Sequence, residues 1–492
     1  MFLIWVFYHG EVGIEAWEWL LSVVYIIFLS LYFSRQKKMR LVRQPEYKHF
    51  LYGLYAKIIG AMVFSLIYFY YYKGGDTISY FYSAVSMSQL ATAEPLDFLR
   101  VLFGANDAEH LNLFGSGARP YEYVYYDDRT FMVIRIITPL VLFSFRSYVL
   151  TALLLSSLCY LGIWRSYQTF VGYFPSLKDK FAIAFLYMPS VIFWGSGIMK
   201  DTLTIGAACW WVHCFDQVFF KKNRVIGNAI GLVLAGMLLI MVKAYIFMIL
   251  MPVMVLWLLY FRVARLKNLL LRLVVLPIML LVLAGGSYVV LNNLGDSLGK
   301  FSLDEAMTTT MNIQRDMQRV EDYGSTYFDI GELDGTLRGG LVKAPAAINA
   351  ALFRPYLWES SSVVVVISAL ENAWLLGFSL LVLWRTRAWF LFRVIRRNPL
   401  AMTCITFAIA YGFVIGISTP NFGALVRFKI VLVPFFVSFL YIVNYLNRER
   451  LWAESRGLRF VLSDYLKGEP VMPSHRAAAK RARKRGHGKL RR

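Results

Sequence analysis

Apolar residues in this chain gather into long unbroken runs, not into the alternation of a strand or the single stripe of a soluble helix. A run of about 18 or more apolar residues is long enough to cross a bilayer. Such runs mark about eleven candidate spans, at 15–33, 51–72, 148–165, 181–198, 202–220, 226–242, 244–261, 269–291, 361–384, 400–418 and 428–446. The expected fold class is all-α, a polytopic transmembrane helical bundle. Neither a heptad pattern nor an internal repeat is visible.

The polar segments between the runs alternate in charge. RQKKMRLVRQPEYK after the first run, RSYQTFVGYFPSLKDK at 165–180, FKKNR at 220–224, FRVARLKNLLLR at 261–272 and RTRAWFLFRVIRRN at 385–398 are strongly basic. The intervening segments are short or balanced. Segment 73–147 has eight acids and six bases, and 292–358 has nine acids and six bases. Lys and Arg accumulate on the cytoplasmic side of membrane proteins. The pattern therefore predicts an outside N-terminus and a cytoplasmic C-terminus. Residues 1–450 form the expected membrane domain, with outer loops at 73–147 and 292–358. Residues 451–492 form a basic cytoplasmic tail, with nine Lys or Arg and no acid after Pro473. Such a tail suits anionic lipid. The apolar stretch FMVIRIITPLVLFSF at 131–145 would break the alternation if it crossed. Its Arg135 and Pro139 suit an amphipathic or re-entrant segment at the outer surface.

Composition supports this reading. The chain is 58% hydrophobic over 492 residues, against about 45–50% in soluble domains. Its net charge of +22 sits in the loops and tail, as topology and lipid contact require, so no nucleic-acid partner is expected. Cys159, Cys209, Cys214 and Cys404 all fall inside apolar runs and read as small core residues. The N-terminal run carries Glu11, Glu15 and Glu18 and lacks a basic leader, unlike a cleaved signal. These features together suggest the inner membrane of a bacterium.

Polar residues collect at the predicted outer ends of the spans. In KGGDTISYFYSA, Asp76 follows two glycines, with Tyr80 one turn on. Asp76 reads either as a helix cap or as a carboxylate held at the water–lipid boundary. In the second case it serves as a general base or a divalent-cation ligand. PSVIFWGSGIMKDTLT brings Lys200 and Asp201 to a hairpin turn. A cation there opposes the topological trend and calls for an anionic partner, such as a phosphate. FRPYLWE supplies Arg354 and Glu359, and the following span carries Glu371 within Ala369-Leu370-Glu371-Asn372. An ionisable residue at that depth faces a cavity or a partner. TPNFGALVRFKIVLVP places Arg427 and Lys429 at the start of the last span, suited to phosphate or to snorkelling. A carboxylate and several cations at one boundary suit a lipid-linked phosphate.

These segments resemble those of the type C glycosyltransferase superfamily. GGDT matches the acidic position in its first outer loop. PSVIFWGSGIMKD is similar to a hairpin in bacterial members, and VRFKIVLVPFF to the entry of a late span. FRPYLWE followed by ALEN resembles a further segment. The chain departs from the family's paired acid. Asp76 stands alone, with Asp127 and Asp128 as more distant second acids. The resemblance implies inverting transfer of a sugar from a polyprenyl-phosphate-linked donor at the non-cytoplasmic face. Asp76 would be the base, and Lys200, Arg427, Lys429 and Arg354 would hold the phosphate. Other surface-assembly proteins are its implied partners. Three alternatives stand beside it: a polysaccharide polymerase or ligase, a lipid-linked substrate flippase, and a non-catalytic scaffold.

Overall fold

The computed structural model describes residues 14–115, 119–264, 337–360, 362–419 and 421–458, with 460 and 462. The candidate span 269–291, most of the second outer loop and most of the tail lie outside these residues. The described residues are helical and contain no strand. The principal helices are α1 (Ala16–Leu41), α2 (Phe50–Leu66), α3 (Asp76–Ala93), α4 (Pro95–Phe103), α5 (Asp128–Phe143), α6 (Tyr148–Tyr173), α7 (Pro189–Phe193), α8 (Lys200–Asp216) and α9 (Val225–Ala264). They continue with α10 (Ala344–Phe353), α11 (Val363–Arg385), α12 (Ala388–Arg397), α13 (Pro399–Ser418), α14 (Phe422–Phe428) and α15 (Val433–Glu454).

By length and composition, six helical stretches among the described residues are able to cross a membrane: Ala16–Leu41, Pro45–Tyr71, Tyr148–Tyr173, Val225–Tyr260, Val363–Arg385 and Pro399–Ser418. A seventh arises if Phe422–Val431 and Val433–Glu454, bent by 59°, form one span. The outward faces agree with this. Leu20, Val24, Ile27, Phe28 and Leu31 of α1 are all exposed, as are Ile226, Ile230, Val233 and Leu234 of α9. An apolar surface of that extent is rare in a water-soluble monomer and marks contact with lipid or a partner. The chain is a multi-pass helical membrane protein.

Several segments depart from simple spans. Helix α9 breaks at Lys243, whose backbone (φ −145°, ψ 79°) is not helical. Segment 178–193 is divided among the short helix Lys178–Ala182, the π-turn Ile183–Tyr187 and α7. The first outer loop is largely helical. Segment 131–145 forms most of α5, whose Phe131, Val133, Ile134, Ile137 and Val141 are fully buried while Pro139, Leu142, Phe143 and Phe145 are exposed. Its Arg135 meets acceptors inside the protein. One of its terminal nitrogens donates to the carbonyls of Val101 (2.9 Å) and Gly104 (2.6 Å) and to Asn106 Oδ1 (2.9 Å). All four cysteines are buried and free.

Two compact units interleave along the chain. The first comprises Met1–Arg165, Pro189–Cys214 and Ile226–Phe247, and the second Ser166–Met188, Phe215–Val225 and Met248–Arg492. In the first, α3 packs along α5 and α7 against α2. Phe50 and Tyr47 pack on Trp164, with centroids 4.7 and 5.1 Å away. In the second, α13 packs on both α10 and α15. Phe435 meets Phe407 at 4.9 Å and Phe170 at 5.9 Å.

Close helix approach depends on small residues. A Cβ at Gly60 of α2 would lie 2.2 Å from the carbonyl oxygen of Ile192 in α7, a backbone atom that cannot swing away. Gly60→Val is expected to destabilise the first unit by about 1–3 kcal/mol or more. Thermal unfolding in detergent measures this, and an unchanged transition would refute the close packing of α7 on α2.

Candidate functional site

In the first unit, α7 and α8 are joined by a turn at residues 194–199, every one of which is buried. Non-helical backbone shielded from water must find its partners inside the protein. Here Lys57, inside the second span and only 1% exposed, supplies them. Its Nζ donates to the carbonyl of Val191 at 3.1 Å and also to that of Gly195. Ser196 Oγ donates to Ile192 O (2.5 Å), and Thr202 Oγ1 to Gly197 O (2.7 Å). The turn is thereby fixed, and with it the first turn of α8.

The first two residues of α8 carry opposite charges and pair in different directions. Lys200 Nζ lies 3.2 Å from Asp127 Oδ2, with side chains 20% and 48% exposed. Asp201 Oδ1 lies 2.5 Å from Lys243 Nζ, with side chains 5% and 8% exposed. Lys243 is the residue at which α9 breaks, so the break delivers the ammonium to the carboxylate. One pair is therefore partly accessible at the protein surface, and the adjoining pair is sealed from it.

Asp127 also caps α5. It accepts from the backbone N–H of Arg129 (3.2 Å) and from the Thr130 hydroxyl. Burial alone would raise its pKa, but the Thr130 hydroxyl and the Lys200 ammonium outweigh that and hold it below the usual carboxylate range. The carboxylate stays charged as pH falls until the medium is more acidic than that range. Asp128 accepts from Asn106 Nδ2 at 2.8 Å. Arg129, half-buried, lies within electrostatic reach of Asp127, Asp128 and Tyr245. The cluster sums to near neutrality. Its exposed pair can open to exchange Asp127 for another anion at far lower cost than the buried pair, because solvent screens the separated charges.

Asp76 is the first residue of α3, not its cap. Gly75 occupies the cap position with φ 101°, a left-handed conformation that glycine adopts without strain. An acid in the first turn is favoured by the helix dipole. Next to it, Thr77 Oγ1 and Tyr148 Oη lie 2.7 Å apart. Tyr80 is buried in the core of this unit.

The second unit holds the remaining sequence-predicted residues. Arg354 is engaged by Glu359: its Nε lies 3.0 and 3.1 Å from the two carboxylate oxygens, and Nη2 also donates to Oε1. Its guanidinium faces the Phe422 ring at 5.3 Å. Lys429, predicted at an interface, is 1% exposed. Its Nζ donates to Asn372 Oδ1, and Glu371, itself buried, lies within electrostatic reach. Asn372 Nδ2 donates to Pro355 O at 3.1 Å, tying FRPYLWE to α11. Arg427 is half-buried, its guanidinium 5.9 Å from the Phe428 ring centroid.

The sequence-predicted residues thus divide by unit. Asp76, Tyr80, Asp127, Asp128, Lys200 and Asp201 lie in the first, and Arg354, Glu359, Glu371, Arg427 and Lys429 in the second. Lys57, Lys243 in its pairing role and Asn372 were missed. Lys57 carried a signal, a charge in the middle of an apolar run. Among the described residues, no group of three or more His, Cys, Asp or Glu is placed to hold a metal ion. Compared with protein-family models, curated proteins and solved structures, the chain matches none.

Lys243→Met strands the Asp201 carboxylate in a buried site. It is expected to cost about 3–5 kcal/mol, whereas Asp201→Asn combined with Lys243→Met recovers much of the loss. Denaturation of the two single variants, Lys243→Met and Asp201→Asn, and of the double variant measures the coupling, and additive losses would contradict the pair.

Proposed function

We propose that the protein is a membrane glycosyltransferase. It moves a sugar from a polyprenyl-phosphate-linked donor to an acceptor at the non-cytoplasmic face of a bacterial inner membrane. The topology that goes with this reading has about eleven spans, an outside N-terminus and a cytoplasmic C-terminus. The observation that carries it is the partly exposed Lys200–Asp127 pair, a cation whose carboxylate partner could be exchanged for a phosphate. Arg129 stands in the same cluster.

In the proposed reaction Asp76 takes the proton of the acceptor hydroxyl as its oxygen attacks the anomeric carbon. The bond from that carbon to the phosphate oxygen breaks. Its electron pair passes to the polyprenyl phosphate, whose added charge Lys200 and Arg129 stabilise. A polymerase or ligase would use the same chemistry and differ in product length. The helix break at Lys243, with its buried ion pair, favours a second reading. Charges at discontinuous helices are a feature of transporters, and a flippase for the same class of lipid would use them.

General base catalysis contributes about 10²–10⁴-fold. Asp76→Asn is therefore expected to lower sugar transfer from a polyprenyl-phosphate donor in proteoliposomes by about two orders of magnitude or more, and Lys200→Ala to weaken donor use. Wild-type transfer by both variants, stably expressed, would end the proposal. Movement of labelled lipid across the bilayer without a new glycosidic bond, lost in Lys243→Met, would favour the flippase. The topology is tested by fusions: a fluorescent protein after residue 450 should fluoresce, and alkaline phosphatase inserted at residue 106 should be active. The reverse pattern would invert the orientation.

A further inference from the structure

Helix α12 has a geometry and chemistry that the proposed reaction does not use. It is ten residues long, roughly 15 Å at 1.5 Å per residue, half of what the hydrocarbon core requires. Both ends are tied to candidate spans. Only Thr386 and Arg387 separate it from α11, and only Asn398 separates it from α13. Asn398 Oδ1 accepts from the backbone N–H of Ala401 (2.9 Å), capping α13. A short helix strung between two adjoining spans lies along one membrane face.

One side of α12 is docked. Phe390 and Val394 are buried, and the Arg450 guanidinium sits 4.4 Å from the Phe390 ring centroid. The other side is exposed among the described residues. Trp389 and Phe392 are 66% and 55% exposed, and Arg393 lies over the Trp389 ring at 5.6 Å. Arg385, Arg387, Arg393, Arg396 and Arg397 are all exposed, and segment 385–398 contains no acid. Exposed aromatics beside an unbalanced row of guanidinium groups complement the boundary between acyl chains and anionic headgroups.

We infer that α12 is a binding site for anionic phospholipid, lying in the plane of one leaflet with Trp389 and Phe392 among the acyl chains and Arg393, Arg396 and Arg397 on the headgroup phosphates. The arginine excess makes this the cytoplasmic leaflet. The inference is independent of the proposed transferase activity.

The test uses the full-length protein, purified in mild detergent and titrated with phosphatidylglycerol or phosphatidylcholine, with bound lipids counted by native mass spectrometry. The wild type is expected to prefer phosphatidylglycerol. The triple variant Arg393→Gln, Arg396→Gln, Arg397→Gln is expected to lose that preference by about tenfold or more, since each basic residue near a charged leaflet contributes measurably to attraction. Its unfolding transition should stay in place, because Phe390 and Val394 are retained. Should the triple variant fail to fold, Arg396→Gln alone is expected to show a partial loss. Neutralising the Lys and Arg residues of 474–492 should leave the preference intact, and millimolar inorganic phosphate should not displace the lipid. The inference is overturned if the arginine variants bind phosphatidylglycerol as the wild type does, if the tail variant is the one that loses it, or if the wild type takes both lipids equally.

Discussion

A charge placed among apolar helices must be answered where it stands, and most of the ordered polar structure of this protein consists of such answers. The sign of each charge matches the helix end it meets. Glu18, in the first span, accepts from Ser147 Oγ at 2.6 Å and from the backbone N–H of Tyr148 at 3.1 Å, so an anion sits at the start of α6. Lys57 meets one carbonyl within the last turn of α7 and one just after it. Arg135 meets those at the end of α4. Helix N-termini present unpaired N–H groups and C-termini unpaired carbonyls. Each buried ion thus satisfies a helix end while the helix end satisfies the ion. At Asp201, in the first turn of α8, an opposite charge is brought in as well, by the break in another helix at Lys243.

This constraint also explains which features were legible in the sequence. The apolar runs near 15–33, 51–72, 148–165, 361–384 and 400–418 correspond to long helices because lipid-facing and core positions alike demand apolar side chains. The interruption near Lys243 was visible because a lone cation splits an otherwise unbroken run. The partners of Arg135 were not legible, because two of them are carbonyls at the end of a neighbouring helix. Lys57 was passed over because its partners come from more than a hundred residues away and are backbone atoms, which leave no pattern in side-chain chemistry. The candidate site was legible as a set of residue types but not as a set of pairs. Lys200 was expected to need an anion, and Asp127 supplies one at 3.2 Å.

The two pairs at the start of α8 set different limits on what the first unit can do. Charges as enclosed as Asp201 and Lys243 separate only at large cost, so they define the geometry of the break. The outer pair is held more loosely. Lys200, one-fifth exposed, rests on a half-exposed carboxylate whose separation solvent would screen. In the proposed reaction an anionic headgroup would meet that combination of fixed placement and replaceable contact.

The grip of Lys57 on the α7–α8 turn has a consequence for how this protein can drift over evolution. Both acceptors are main-chain oxygens, so no second amino-acid change can compensate for loss of the ammonium in the way that a swapped acid restores a broken ion pair. Related chains should therefore show an invariant column at this position without any co-varying mate. The mark it leaves on its surroundings should be small residues retained at 195 and 197, where added bulk would collide with the lysine head or with Phe64.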